Sequence, residues 1–127
     1  MARPRLGSRK IVAFVATSSP AKAKRFYRDK LGLRLVEASP FALVFDAHGT
    51  MLRVTPVNKV ATAGYTVLGW QVPDIVDAVK RLRKAGVRFE RYDGMGQDKL
   101  GVWQSPSGAR IAWFKDPDGN TLSITML

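Results

Sequence analysis

The sequence predicts an α+β fold built from two tandem modules, each with the element order β-α-β-β-β. The first observation is that an amphipathic helix, a glycine and a short apolar strand follow one another twice, with Gly32 and Gly86 lying 54 residues apart. The second is that a hairpin pattern with glycine in its turn also occurs twice, at Gly49 and Gly119, 70 residues apart. One supersecondary order repeated within a small chain indicates an internal duplication.

Length and composition indicate a single globular domain and exclude several classes of site. A chain of 127 residues is one domain that can bury its own core. The absence of cysteine excludes disulfides, cysteine-ligated zinc and cysteine nucleophiles, and a single histidine excludes a multi-histidine metal site. No apolar run reaches the roughly 20 residues of a membrane span, and the apolar stretch 11–16 is too short for a signal peptide. We therefore expect a cytoplasmic protein with no membrane partner.

The charge is strongly positive, with 21 Lys and Arg against 10 Asp and Glu and a formal net charge of +11. Such a balance favours polyanions without specificity. However, the sequence contains no RNP-type aromatics, helix-turn-helix pattern or Cys/His finger. We expect the charge to lie on solvated helix faces and in a basic, disordered tail over residues 1–9, and we do not expect nucleic acid to be the partner.

The first module is predicted over about residues 10–57. Residues 11–17 form a short apolar run typical of a buried strand. Ser18 or Ser19 can cap a helix that begins at Pro20, and Gly32 can end it. The apolar stripe of this helix has spacings of three and four: Ala23, Phe26, Tyr27 and Leu31. Strands are then predicted at 33–36, 41–45 and 50–55, the last two joined by a turn at 47–49.

The second module, over about residues 65–127, follows a linker at 57–64. Its helix is predicted to begin after Asp74 and to end at Gly86. Pro117 favours a tight turn in the final hairpin, with Gly119 or Asn120 in a positive-φ conformation. The remaining predictions are strands at 65–72, 87–89, 109–114 and from 121, a polar loop at 91–100 and an extended piece at 101–104. A single domain over 10–127 follows.

Three segments resemble signatures of the vicinal oxygen chelate superfamily, which contains the glyoxalase, bleomycin-resistance and dioxygenase-like proteins. They are Phe26–Leu33 (FYRDKLGL), Asp116–Leu122 (DPDGNTL), and Val72–Ile75 followed by Ala85–Val87. The resemblance implies curled mixed sheets around a cavity, helices on the outer face and a homodimer. In metal-dependent members of the family, His, Gln or Glu side chains from four strands hold a divalent ion in that cavity.

The positions of this chain that match those four ligands lack suitable donors. They are Ser123, Arg53, Val67 and a position within 11–13. Valine has no donor atom, and a permanent cation repels a divalent ion. The sequence therefore predicts no metal and no other cofactor. Since the family chemistry depends on that ion, whether the protein is an enzyme stays open.

Strand alternation predicts which other side chains share a cavity wall with these positions. Gln71 lies on the face of Val67, and Trp70 lies on the opposite, helix-packed face. Arg53 can bind a carboxylate or phosphate bidentately; alternatively it pairs with a neighbouring acid or faces solvent. Tyr92 and Trp103 border the long loop of the second module, where a ligand contact, plain packing and a dimer interface are the alternatives. Phe14, Phe41 and Trp113 are expected in the core, with Phe41 or Trp113 able to reach the pocket mouth. The candidate ligand-binding residues are Arg53, Gln71, Ser123, Val67, Phe41, Tyr92, Trp103 and Trp113.

Three functions compete at this point. The favoured one is a metal-independent protein that binds a small anionic or aromatic molecule in a cavity of a homodimer. The second is an enzyme of the lyase, isomerase or dioxygenase-like kind with non-standard metal ligands or none, with candidates among His48, Glu37, Gln71 and Asp93. The third is an interaction module whose basic surface meets nucleic acid or an acidic partner.

Overall fold

The computed structural model describes residues 5–127 and contains two four-stranded mixed sheets, each with one α-helix. The first module consists of β1 (Val12–Thr17), α1 (Pro20–Arg25), β2 (Arg34–Ala38), β3 (Leu43–Ala47) and β4 (Thr50–Pro56). The second consists of β5 (Leu68–Gln71), α2 (Ile75–Lys84), β6 (Trp103–Gln104), β7 (Arg110–Lys115) and β8 (Thr121–Met126). Residues 1–4 of the predicted tail lie outside the described residues. In the described part of the tail, Leu6–Ser8 form an exposed 3-10 turn.

Both sheets have the same topology, which confirms the predicted α+β fold with two β-α-β-β-β modules. The strand orders are β1-β4-β3-β2 and β5-β8-β7-β6. In each module the first strand is parallel to the last, and the other pairs are antiparallel. Within the described residues, no helix is long and apolar enough to cross a membrane.

Both helices begin at the predicted residues, but the predicted serine cap of α1 is wrong: Ser19 makes no side-chain cap, and the Ser18 hydroxyl donates to Asp118 instead. Pro20 occupies the first turn of α1, where its missing N–H costs nothing. The chain then widens into a π-helical segment, Phe26–Lys30, before Gly32 ends it at φ 77°. The carboxylate of Asp74 caps α2 by accepting a hydrogen bond from the Asp77 N–H at 3.1 Å.

The helix-packed faces of the two sheets share one hydrophobic core. The Phe114 ring of β7 lies 6.4 Å from the Phe26 ring of the first module and 6.5 Å from the stacked Trp70 ring. The core position of Trp70 is thus confirmed. The opposite faces carry Phe14, Met51 and Arg53 in the first module and Gly69, Trp113 and Ser123 in the second. No helix of the described chain packs on them, and we call them the first and second open faces.

Two aromatic side chains predicted in the core, Phe14 and Phe41, are exposed, and the third, Trp113, is half-buried on the second open face. Phe14 is 63% exposed, because Val15 and Thr17 take the inward positions of β1 and alternation turns Phe14 to the first open face. Phe41 is 80% exposed in the turn before β3. Since it lies outside a strand, no sheet covers it.

The second module has less strand than predicted. The segment 87–89 makes one bridge, between Phe89 and Phe114, and β5 begins at Leu68. Polar side chains organise the loop that follows: the Gln97 amide donates to the Glu90 and Gly101 carbonyls at 2.9 and 2.8 Å. These side-chain bonds take the place of the missing strand pairing, which is why the loop keeps a defined shape.

The turn at residues 116–120, hereafter the DPDGN turn, fixes the second module to the first. The buried Asp116 carboxylate accepts hydrogen bonds from the Tyr27 hydroxyl at 2.7 Å, the Asn120 amide at 2.8 Å, and the Asp118 and Asn120 N–H groups at 2.9 Å. Burial and the adjacent Asp116 carboxylate raise the pKa of Tyr27 well above its ordinary value. The hydroxyl therefore stays protonated and remains a donor.

Asp118 makes the second connection between the modules. Its carboxylate accepts hydrogen bonds from the Thr17 hydroxyl at 2.6 Å and from the Ser18 hydroxyl and N–H at 2.8 Å. Partial burial acts to raise the pKa of Asp118, but the hydrogen bonds from Thr17 and Ser18 outweigh it and hold the pKa below its ordinary value. The Asn120 amide adds a bond to the Ala16 carbonyl at 2.9 Å.

Candidate functional site

The second open face carries most of the predicted binding residues. Its central row runs from Gly69 on β5 through Ser123 on β8 to Trp113 on β7, which are register partners. A Cβ on Gly69 would lie 2.7 Å from the Ser123 hydroxyl oxygen. The missing side chain therefore leaves room for that hydroxyl, and Ser123 is 7% exposed.

Three rings form an aromatic cluster on this face. The Trp113 centroid lies 5.7 Å from that of Tyr92, edge to face, and 6.0 Å from that of Trp103. The Trp113 indole N–H donates to the Thr66 hydroxyl at 3.1 Å, which orients the ring. Burial, followed by the nearby Glu90 charge, raises the pKa of Tyr92, so the phenol is neutral at pH 7.

A cavity of about 440 Å³ opens beside this cluster, and we call it the aromatic pocket. Its walls include rings, hydroxyls and one cation: Tyr65, Thr66, Tyr92, Met95, Trp113, Lys115 and Thr121. The Lys115 ammonium lies 3.8 Å from a Glu90 carboxylate oxygen. An apolar wall with a few polar groups at its edge is typical of small-molecule sites.

The first open face presents Arg53 among apolar side chains. Arg53 pairs in register with Phe14 on β1 and with Val44 on β3, and it is half-buried. Across residues 5–127 its guanidinium has neither an ion pair nor a side-chain hydrogen bond, whereas Asp46 lies 3.4 Å from Arg34. The predicted alternative of a pairing with an acidic neighbour is therefore not seen in this part of the chain.

The structure thus divides the predicted site residues between two surfaces. Val67, Ser123, Tyr92, Trp103 and Trp113 belong to the second open face. Arg53 belongs to the first.

Phe41 and Gln71 lie apart from both groups. Phe41 lies in the turn before β3. Gln71 follows the strand parity of Val67 but lines a separate groove of about 410 Å³ between the modules, with Leu33 and Trp70.

Sequence reasoning missed four side chains of the aromatic pocket, which are Tyr65, Thr66, Met95 and Lys115. Lys115 shares a strand face with Trp113, so alternation along β7 was a signal that could have found it. Thr66 and Met95 reach the pocket from irregular segments. Residues in such segments have no periodicity from which their direction could be deduced.

The residues at the positions expected to hold a metal do not fit a divalent ion. Val67 offers no donor, Arg53 is a cation, and Ser123 supplies one neutral hydroxyl on a different sheet from Arg53. Within the described part of the chain, no three His, Cys, Asp or Glu side chains form a group that could hold a metal. The arrangement on the second open face is suited to binding a planar molecule through its rings and hydroxyls.

Comparison with known proteins identifies the family. The model of the Glyoxalase/Bleomycin resistance protein/Dioxygenase superfamily matches residues 10–124. No curated protein matches the chain.

Several solved structures share the fold at low identity. A glyoxalase family protein from Enterococcus faecalis is 18% identical with a TM-score of 0.74, over 94% of this chain and 98% of that one. A lactoylglutathione lyase from Agrobacterium tumefaciens is 18% identical with a TM-score of 0.72, over 94% and 93%. TioX from Micromonospora sp. ML1 is 21% identical with a TM-score of 0.70, over 92% and 97%. At these identities the likeness shows the fold alone.

The family model spans nearly the whole described chain, and the two repeated modules have the topology of these neighbours. The chain therefore belongs to the Glyoxalase/Bleomycin resistance protein/Dioxygenase superfamily.

Proposed function

We propose that this protein binds a small aromatic molecule that carries a negative charge, and that it does so without a metal. The observation that carries the proposal is the aromatic cluster of Tyr92, Trp103 and Trp113 beside a cavity of about 440 Å³. It lies on the sheet face of Val67 and Ser123, two of the positions that match metal ligands in metal-dependent members of the family.

The chemistry of the pocket favours a planar ligand. The Tyr92 and Trp113 rings stand nearly perpendicular, with an interplanar angle of 80°. A flat molecule can therefore stack on one ring while meeting the edge of the other, at about 0.5–1.5 kcal/mol per ring pair beyond the area buried. Lys115 supplies a positive charge that Glu90 offsets only weakly, since the pair is 3.8 Å long and partly exposed. The Thr121 hydroxyl adds a donor or acceptor that can orient the ligand.

The proposal includes a homodimer. Phe14 is 63% exposed, Val12 41% and Met51 42%, and all three lie on the first open face. Exposed large apolar side chains grouped on one sheet face support an interaction surface there. A second copy placing its first open face over the second open face of this one would close the aromatic pocket and bring Arg53 of one copy near the ligand of the other. We propose a cytoplasmic location for this dimer.

Ligand binding is tested with naphthalene-2-sulfonate, an aromatic anion. Tryptophan fluorescence and thermal shift measure its binding, with and without EDTA. We expect saturable binding that EDTA does not change. Trp113→Ala should weaken binding by about tenfold, equivalent to about 1.4 kcal/mol. Trp70→Phe, on the opposite face of the sheet, is the matched control and should bind like the parent.

Two results would contradict the proposal. Equal binding by the parent protein and Trp113→Ala would place the ligand elsewhere. Loss of binding or stability in EDTA would favour the alternative, an enzyme of the family with a metal held by other ligands. Analytical ultracentrifugation tests the dimer. We expect a mass in solution of twice that of the single chain, which is 14.0 kDa.

A further inference from the structure

We propose a second binding site, for a phosphate group, in a cleft between the end of α2 and the segment 88–101. Four cations line this cleft, which has a volume of about 340 Å³: Arg83, Arg88, Arg91 and Lys99. We call it the basic cleft. It shares no lining residue with the aromatic pocket and does not depend on the function proposed for that pocket.

The fold builds the cleft where α2 ends. Gly86 adopts φ 97° after the helix, a conformation that side chains other than glycine rarely accept, and it redirects the chain. Val87 is then buried, and Phe89 bridges to Phe114 on β7. The intervening Arg88 is exposed at the wall of the cleft. A core contact on each side therefore fixes the backbone that carries this charge.

Arg91 is held in place before any ligand arrives. One of its terminal nitrogens, Nη2, donates to the carbonyls of Asp98 at 2.7 Å and Lys99 at 2.6 Å. A guanidinium has five N–H donors, so Nε and Nη1 keep three that these bonds do not use. Such a preorganised planar group loses little conformational entropy when it grips a phosphate.

The acidic side chain next to Lys99 in the chain, that of Asp98, is engaged by other residues. The Asp98 carboxylate accepts from the Leu100 and Val102 N–H groups at 2.9 Å and lies 3.6 Å from Arg110. No carboxylate lines the cleft, and over residues 5–127 none of its four cations forms an ion pair. Like charges converging in a concave site produce a potential that attracts anions.

A neighbouring cleft shows that this excess of cations over carboxylates is local to the basic cleft. It shares the wall from Gly86 to Phe89, but its lining contains Glu90 and Asp116 beside the cations Lys30, Arg88 and Lys115. The net charge of the chain alone therefore does not explain four cations without an acid in the basic cleft.

Phosphate is the anion that this arrangement suits best. Arginine presents paired donors that match two phosphate oxygens, and Lys99 adds a compact charge. Arg83 lies in the last turn of α2, where it also offsets the partial negative charge of the helix end. We therefore assign the phosphate to the side of Arg88, Arg91 and Lys99. The group can come from a small phosphate ester or from the backbone of a nucleic acid.

The test compares two double variants that lose the same charge. Arg88→Gln/Lys99→Gln removes two cations from the basic cleft, and Arg25→Gln/Lys59→Gln removes one arginine and one lysine from exposed positions elsewhere. All four positions are exposed, so we expect both variants to fold. The first probe is inorganic pyrophosphate, whose binding is measured by calorimetry. The second is a short single-stranded DNA, whose binding is measured by fluorescence anisotropy at low and physiological salt.

We expect the cleft variant to weaken binding of at least one probe by about tenfold or more, and the control variant to bind within about twofold of the parent. If both probes follow this pattern and pyrophosphate displaces the DNA, a small phosphate ester suffices as ligand. If DNA alone follows it, with a steep decrease in salt, the phosphate belongs to a nucleic acid backbone. Equal losses in the two variants would show diffuse attraction and overturn the site, as would no binding of either probe.

Discussion

The two hairpin turns occupy equivalent places in the repeated modules but have different roles. The turn between β3 and β4 is exposed at His48 and Gly49, and within it Asp46 accepts one bond, from the Gly49 N–H at 3.1 Å. The DPDGN turn has a buried carboxylate, Asp116, and contacts residues of the other module. The comparison teaches that duplication preserved the hairpin while one copy became the connection between the modules.

This difference also explains what the DPDGN motif contributes to the protein. Its two aspartates accept hydrogen bonds from Tyr27, Thr17 and Ser18 of the first module. The motif therefore identifies the fold by stabilising it, and it supplies no group to the aromatic pocket. A motif can thus be strong evidence for a family and say little about the ligand.

The largest expected effect comes from removing the buried carboxylate of the DPDGN turn. Asp116→Ala leaves several donors without an acceptor, the buried Tyr27 hydroxyl among them, and should reduce the free energy of unfolding by about 3 kcal/mol. Asp46→Ala in the other hairpin loses the Gly49 N–H bond and the Arg34 pair, but both are exposed and solvent replaces them, so the cost should be less than about 1 kcal/mol. Urea denaturation of both variants measures the difference. Equal losses would contradict the distinct roles of the two turns.

An intermediate effect that depends on pH is expected at the Thr17–Asp118 contact. The folded-state pKa of Asp118 lies below its ordinary value, so its contribution to stability is present above the unfolded pKa, about 3.9, and is lost as pH falls through the folded pKa. Thr17→Val should therefore cost about 1 kcal/mol near pH 7.

The cost of Thr17→Val should shrink as Asp118 becomes protonated in acid. Urea unfolding of the parent and the variant at neutral pH and near pH 3 tests this expectation. A cost that stayed constant between the two conditions would show that Thr17 acts through packing or through its bond from the Ser19 N–H at 3.1 Å rather than through the charge of Asp118.

The smallest effect is expected in the exposed hairpin. His48 adopts φ 50° and Gly49 φ 88°, a pair of positive values for which Asn-Gly is the preferred sequence. His48→Asn should therefore raise the free energy of unfolding by about 0.5 kcal/mol, seen as a slightly higher Tm. A decrease would show that the imidazole makes a stabilising contact beyond its turn.

The fold could be predicted because its signals are local. Gly32 and Gly86 both adopt the positive φ expected after a helix, at 77° and 97°, and Gly119 does so in its turn at 86°. Tyr27 and Arg81 have the same place in the repeated helices, yet Tyr27 is buried against Asp116 and Arg81 pairs with Asp77 on the surface. The sequence of each helix shows which residues form its apolar stripe. It does not show which residue of the other module a side chain such as Tyr27 contacts.

Phe14 and Trp70 show where strand reasoning succeeds and fails. The face of Trp70 could be fixed from its strand, because Gly69 and Gln71 alternate with larger apolar residues. The run 11–17 is apolar on both faces, so alternation cannot distinguish which side meets the helix. Phe14 was therefore placed in the core, whereas it lies on the first open face.

The candidate sites depend on the loop of the second module, and that loop is what the sequence left undetermined. Tyr92 meets Trp113 because the Gln97 side chain accepts from the Tyr92 N–H at 2.7 Å. Arg91 reaches the basic cleft because it donates to the Asp98 and Lys99 carbonyls. Both arrangements depend on hydrogen bonds between irregular segments, which have no periodicity to reveal them.

The DPDGN turn also sets the order of events during synthesis. Thr17 and Asp118 are 101 residues apart, and Tyr27 and Asp116 are 89 apart. At roughly 5–20 residues per second, the first module emerges from the ribosome many seconds before its partners exist. Its Tyr27 hydroxyl has no Asp116 to receive it during that interval, so the module waits with an incomplete core. The hydrogen bonds that join the modules can therefore form only after the final hairpin has been synthesised.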